Sequence, residues 1–177
     1  SISSNCVLLL PKIIPKESAI SEGPMKKFFQ IILGISFLFL LVGCSSQETA
    51  TYIKKSNTAE FLISYTYDKN KDTVSKLKIE TIESDAISEV RKDNEKLFAT
   101  FKGIDGVVTS ITEKDGKIIS TVEIDLSKNK FSTLKKIDNL FISGLIRSGY
   151  LTGDEDNALF SKSKEALLKK GFTEQKK

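Results

Sequence analysis

The chain contains no histidine and no tryptophan, and only two cysteines among its 177 residues. Without histidine there is no Ser-His-Asp or Cys-His machinery and no zinc site of the common His-containing kinds. Cys6 and Cys44 are too few for a disulfide framework or a four-thiolate metal site. Excess charge is also scarce: 27 Lys and Arg against 23 Asp and Glu leave +4. That charge is spread out, with no basic stripe interleaved with aromatics, which argues against a nucleic-acid partner. No Gly-rich phosphate loop is present. With 40% hydrophobic and 28% charged residues, the composition is ordinary for a globular domain.

One long apolar run stands out, Phe28 to Val42, 15 residues in length. A full membrane span needs about 20. Met25-Lys26-Lys27 precedes it and Gly43-Cys44-Ser45-Ser46 follows. A basic start, a short apolar middle and a small residue at the cut make the plan of a signal peptide, expected over 25–43. Leu41-Val42-Gly43-Cys44 resembles the lipobox of bacterial lipoproteins. In that pattern a diacylglycerol is joined to the cysteine sulfur and the peptidase cuts between Gly43 and Cys44. The small Gly admits the peptidase, and the thiol is the side chain nucleophilic enough to take the lipid as a thioether. Cys44 is thus the expected lipid-attachment site. Residues 1–24 fit no part of this plan and read as a spurious upstream extension, with Met25 as the start.

From Cys44 onward 134 residues remain, with 23 basic and 21 acidic side chains. That is one domain's worth. Residues 44–58 are polar without an apolar period and read as a lipidated tether, with Lys54 and Lys55 beside head groups or simply solvated. A single α+β domain is expected over 59–177. Glu60–Tyr67 alternates as a strand, Asp68–Asp72 is a turn, and Thr73–Ile82 is a second strand. From Ile87 to Phe101 the apolar period lengthens to three or four, predicting a helix over about 84–102. Ser84 or Asp85 is positioned to cap it and Gly103 to end it. Val107–Lys114 and Lys117–Asp125 flank Asp115-Gly116, the signature of a two-residue hairpin that pairs Lys114 with Lys117. Phe131–Ile142 reads as helical with a break at Ser143-Gly144. A last helix follows Ser161 and stops at Gly171, with Phe172 suited to a hydrophobic cap contact. The architecture expected is one sheet of antiparallel hairpins, packed by the helix after the second strand and by C-terminal helices.

Candidate chemistry is thin. Ser132…Lys135, Ser75…Lys78, Ser127…Lys130 and Ser161…Lys164 all match Ser-x-x-Lys, and four matches in a Ser- and Lys-rich domain show how cheaply the pattern arises. Asp154–Asn157 with Glu165 faintly resembles a calcium loop, but Leu159 stands where the loop requires Gly. No metal, cofactor or catalytic residue is therefore assigned. Phe61, Tyr65 and Tyr67 on one strand are candidates for a ligand patch, although strand aromatics commonly face a core.

With these segments in view, the chain resembles the YehR-like family of small bacterial lipoproteins, which carries a domain of unknown function. The likeness rests on the lipobox at Cys44, the strand Ile63-Ser64-Tyr65-Thr66-Tyr67 with its Lys-rich turn and the junction Gly103–Val107. It also takes in the strand end Val122-Glu123-Ile124-Asp125 and the closing Lys169-Lys170-Gly171-Phe172. It implies an α+β domain outside the cytoplasmic membrane and no particular activity. The Lys, Ile and Ser usage fits a low-GC Gram-positive bacterium. The expectation is a lipid-anchored, palmitate-bearing lipoprotein on the extracytoplasmic face, acting as a non-catalytic binding or accessory module. Its partners would be membrane lipid through Cys44 and an envelope protein or small ligand, with no nucleic acid. The alternative is a small envelope hydrolase using carboxylates or Ser/Lys.

Overall fold

Alternation of apolar and polar residues makes the sheet, and a computed structural model, which describes residues 46–176, shows six strands in it. The elements are β1 Gln47–Lys55, β2 Ala59–Asp68, β3 Thr73–Glu83, α1 Ile87–Ala99, β4 Val107–Lys114, β5 Lys117–Asp125, α2 Phe131–Leu134, α3 Leu140–Arg147, α4 Phe160–Lys169 and β6 Thr173–Glu174. The strand order is β4-β5-β3-β2-β1-β6, and every pairing is antiparallel. The expected α+β architecture of hairpins packed by helices is the one observed. The leader, Gly43 and Cys44 lie outside the described residues.

The 107–125 hairpin has the expected register. Lys114 pairs with Lys117, and Val107, Thr109 and Ile111 oppose Ile124, Val122 and Ser120. Asp115 (φ 53) and Gly116 (φ 72) both take the left-handed conformation that a primed two-residue turn requires. β2 and β3 form the expected antiparallel hairpin, with a bulge after Thr66 that leaves Ser75 between the partners of Thr66 and Tyr67.

The tether expected over 44–58 is corrected from Gln47 on. Residues 47–55 form β1, seated between β2 and β6, and the compact unit begins at Gln47. The physical reason is Tyr52. Its side chain is fully buried and faces Ile63 across the β1–β2 ladder. On the opposite face Thr49 and Thr51 pair hydroxyls with Thr66 (3.1 Å) and Ser64 (2.8 Å). A strand with one deep aromatic and a Thr ladder has little apolar period, yet it fits a half-wet sheet. Near the C-terminus Thr173–Glu174 pairs with Ile53 and Tyr52 as a short edge strand.

The core lies on the helical face of the sheet. Tyr52, Tyr65, Leu77 and Ile124 from the strands meet Leu134, Ile142, Leu151 and Leu167, all essentially inaccessible. Each such side chain contributes roughly 1.5–3 kcal/mol by leaving water. Helix α1 covers the β4–β5 end and buries no residue completely. Asn94, which interrupts its apolar stripe, donates from Nδ2 to Ser120 Oγ on β5 at 2.7 Å, so the polar position has a buried polar partner. Neither Ser84 nor Asp85 caps this helix. Its N-cap is Ala86 at φ 49, and Ser84 Oγ donates to the Thr58 carbonyl instead.

The helix expected over 131–142 is two helices. α2 stops at Leu134, and α3 starts afresh behind Asn139, whose Oδ1 accepts from Phe141 N (3.0 Å) and Ile142 N (3.1 Å). Asn139 is the missed signal, a helix N-cap in the middle of an apolar run. Ser143-Gly144 does not break α3. α3 and α4 end alike. The amides of Gly149 and Tyr150 return to the Ile146 and Leu145 carbonyls, and those of Gly171 and Phe172 to Leu168 and Leu167. Both are Schellman closures with glycine at positive φ and an aromatic ring following. Tyr150 and Phe172 then meet edge to face, with ring centroids 6.2 Å apart, which ties the two helix ends together.

Candidate functional site

The three aromatics of β2 share a face but not an environment. Tyr65 is fully buried, and its hydroxyl donates to the Tyr150 carbonyl at 2.6 Å. Burial, and then the neighbouring Tyr52 and Tyr150, push its phenol far above the ordinary tyrosine range. Tyr67 stacks flat on Phe160 at 3.7 Å, and its hydroxyl donates to Glu48 Oε2 at 3.1 Å. Phe61, 37% exposed, lies two pairs further along the strand, opposite Lys54 and Thr81. Tyr65 is therefore core, and Phe61 and Tyr67 flank it without meeting.

A concave surface does form beside Tyr67. Strand β6 pairs only with Tyr52 and Ile53, and Gln175 N donates to the Thr51 carbonyl. Below that point a cleft of about 640 Å³ opens along β1, lined by Glu48, Thr49, Ala50, Thr51, Tyr67, Glu174, Gln175 and Lys176. Burial raises the Tyr67 phenol, helped by its hydrogen bond to Glu48 and by Glu174 and Asp72, so it serves as a neutral donor. Lys69 Nζ stands 3.6 Å from Glu48. The cleft wall is thus mixed in charge, with Glu48 held by Tyr67 and Lys69 and with Glu174 and Lys176 also lining it, which suits a polar ligand bearing ammonium or hydroxyl groups. Sequence reading picked out Tyr67 but not Glu48 or Glu174, because their meeting depends on β1 and β6 being neighbours.

The Ser-x-x-Lys pairs are put to structural use. The hydroxyls of Ser75, Ser127 and Ser161 donate to the Thr66 carbonyl, Asp125 and Asp72 respectively. Lys78 pairs with Glu80 at 3.6 Å. Lys135 Nζ lies over the Phe131 ring and donates to the Asp154 and Glu155 carbonyls at 3.5 and 2.9 Å. That ammonium sits on the same acidic loop that resembled a calcium site. Asp154 is itself engaged, accepting from Asp156 N and Asn157 N, and those backbone hydrogen bonds lower its carboxyl below the usual range. Among the described residues no group of three or more Cys, Asp or Glu side chains could hold a metal ion. Lys54 is solvent-exposed, and its ammonium donates to the Lys170 carbonyl at 2.7 Å and lies over Phe172.

The family model for a protein of unknown function, DUF1307, matches residues 48–173, which takes in all four helices and all of the sheet but its first and last residues. The chain belongs to the DUF1307 family. This DUF1307 chain is 32% identical over 127 residues to the uncharacterized lipoprotein Lmo0207 of Listeria monocytogenes, covering 68% of this chain and 82% of that one. It is 26% identical over 159 residues to the lipoprotein Lin0239 of Listeria innocua, covering 86% of this chain and 98% of that protein. To the Escherichia coli lipoprotein YehR it is 27% identical over 122 residues, covering 66% of this chain and 80% of YehR. The solution structure of E. coli YehR superposes with a TM-score of 0.55 at 27% identity, over 72% of this chain and 90% of that one. A Streptococcus pneumoniae protein structure shares the fold at a TM-score of 0.52 and 15% identity, covering 73% and 85%. The resemblance to YehR-like lipoproteins is thus established, and lipoprotein homology supports a lipid-anchored, extracytoplasmic location in general terms.

Proposed function

We propose that the chain is processed between Gly43 and Cys44, carries its lipid on Cys44, and acts at the outer face of the cytoplasmic membrane as a binding or accessory module. The supporting observation is the lipobox together with the reach of the similarity. The likeness to the lipoprotein Lin0239 covers 86% of the chain, a larger share than Gln47–Lys177 alone can supply, so it runs upstream of Gln47 toward the lipobox segment. Two acyl chains at about 0.8 kcal/mol per buried methylene hold far more firmly than one. The β1 cleft beside Tyr67 is the binding surface in this reading, for a small ligand or envelope component with cationic or hydroxyl groups. Feeding cells a tagged palmitate tests the anchor: wild type takes up label and Cys44→Ala does not. Equal labelling of both would refute it. In-cell crosslinking against the same variant tests the binding role, which fails if no ligand or partner rises above the delocalised control.

One observation favours a second reading, a carboxylate hydrolase. Glu48 and Glu174 line the same cleft. Hydrolysis of envelope glycans or esters that Glu48→Gln and Glu174→Gln each abolish, without loss of folding, would select it over the binding module.

A further inference from the structure

The position of β1 fixes how such a domain meets its membrane. Gln47 is already in the sheet and Cys44 is three residues before it. Three residue steps span at most about 11 Å. We infer that the anchored domain stands on the bilayer by the end of the sheet that carries Gln47, with the β2–β3 turn resting on the head groups of the anchoring leaflet. This rests on the lipidation of Cys44 proposed above. The register identifies the rest of that end. Gln47 pairs with Asp68, so the turn Lys69–Asp72 lies beside the anchor. Lys76 pairs with Asp125, which brings the loop after β5 to the same side.

The opposite end is equally defined. Lys55 pairs with Glu60, Ala59 with Glu83, and Glu83 with Ile118, next to the Asp115-Gly116 turn. β3, with 11 residues, separates the two ends by about 35 Å at ~3.3 Å per residue. The turn carries Lys69, which pairs with Glu48, and Lys71, while Lys54 and Lys55 are carried to the distal end. The β1 cleft, lined by Glu48 to Thr51, opens in the membrane-proximal half.

The test uses the chain expressed with its full leader, so that the cell lipidates it, and then purified into phosphatidylcholine–phosphatidylglycerol vesicles. A fluorophore is placed on Asn70→Cys in the turn or on Lys114→Cys at the distal end, both exposed positions. Quenching by lipids spin-labelled at the head group is expected to be severalfold stronger at position 70 than at 114. A ten-residue Gly/Ser insert between Ser46 and Gln47 should erase the difference. Equal quenching in protein that pellets with vesicles overturns the orientation alone. Protein that stays in the supernatant, or a Cys44→Ala variant that pellets equally well, overturns the anchor and the orientation with it.

Discussion

Two tyrosines packed against each other make opposite predictions for the same substitution. Tyr52 and Tyr65 are both fully buried, with rings edge to face at 6.2 Å and each within 6.5 Å of Phe160. The Tyr65 hydroxyl has the Tyr150 carbonyl as its partner, whereas the Tyr52 hydroxyl is buried with none. An unsatisfied buried polar group costs roughly 1–3 kcal/mol, and a made hydrogen bond contributes about 1 kcal/mol. Tyr52→Phe keeps every ring contact and removes the penalty. Allowing for the small void left behind, it should stabilise by about 1 kcal/mol, or roughly 3–5 °C in Tm for a domain of this size. Tyr65→Phe removes a bond and strands a carbonyl, and should destabilise by about 1–2 kcal/mol. Urea and thermal unfolding of the chain from Ser46 onward give both numbers, with an unchanged m-value as the check on comparability.

The pH dependence adds a second readout. Burial, with Glu174 and Tyr67 adding to it, pushes the Tyr52 phenol up to about 12. Between its unfolded value near 10 and that value, the unfolded chain has released the proton and the folded chain retains it. Stability therefore falls as pH rises, by about 1.4 kcal/mol per unit from this group. Tyr52→Phe should lessen that alkaline loss. A neutral or destabilising Tyr52→Phe, with the alkaline limb unchanged, would show that the hydroxyl is hydrogen-bonded in solution and refute the reasoning.

Three further outcomes are expected. Asn139→Ala removes a cap that serves two α3 amides and, through Nδ2, the Thr100 carbonyl and hydroxyl; denaturant unfolding should show a loss of about 2 kcal/mol, which Asn139→Asp only partly restores. A chain beginning at Thr58 lacks β1 and Tyr52 and should show no cooperative transition by circular dichroism, while one beginning at Ser46 unfolds in a single step. The Ser127 hydroxyl, 2.5 Å from Asp125, together with backbone amides holds that carboxyl below its usual range. Its stabilisation is present above the unfolded carboxylate value and is lost as pH falls through the lower folded value, so Ser127→Ala should flatten the acid limb of a stability–pH profile.

What was legible in the sequence were elements with their own local signal. Asp115-Gly116 dictates its turn, and the turn dictates the register from Val107 to Asp125. Gly171-Phe172 marks the end of α4 for the same reason. β1 was not legible, because Gln47–Lys55 has one large apolar residue per face and becomes a strand through partners elsewhere in the chain. Its Thr and Tyr content was the available hint. The aromatic set was legible as alternation, and the same alternation that put Tyr65 beside Tyr67 turned Tyr65 into the core. The cleft lay beyond reach for a different reason. Glu48 and Glu174 are 126 positions apart, and no local pattern joins them.

That separation between the first and last strands has a consequence for timing. β1 needs β6 on its outer edge, and Ile53 reaches Thr173 across 120 residues. Phe172, five residues from the last, belongs to the core and forms the cap of α4. A nascent chain still missing its C-terminal segment cannot complete either contact. Closing so long a loop also carries an entropic cost that slows folding. Docking of β6 and Phe172 is thus among the contacts of greatest sequence separation in the fold, and the seam between β1 and β6 is expected to close late, after the local hairpins have formed.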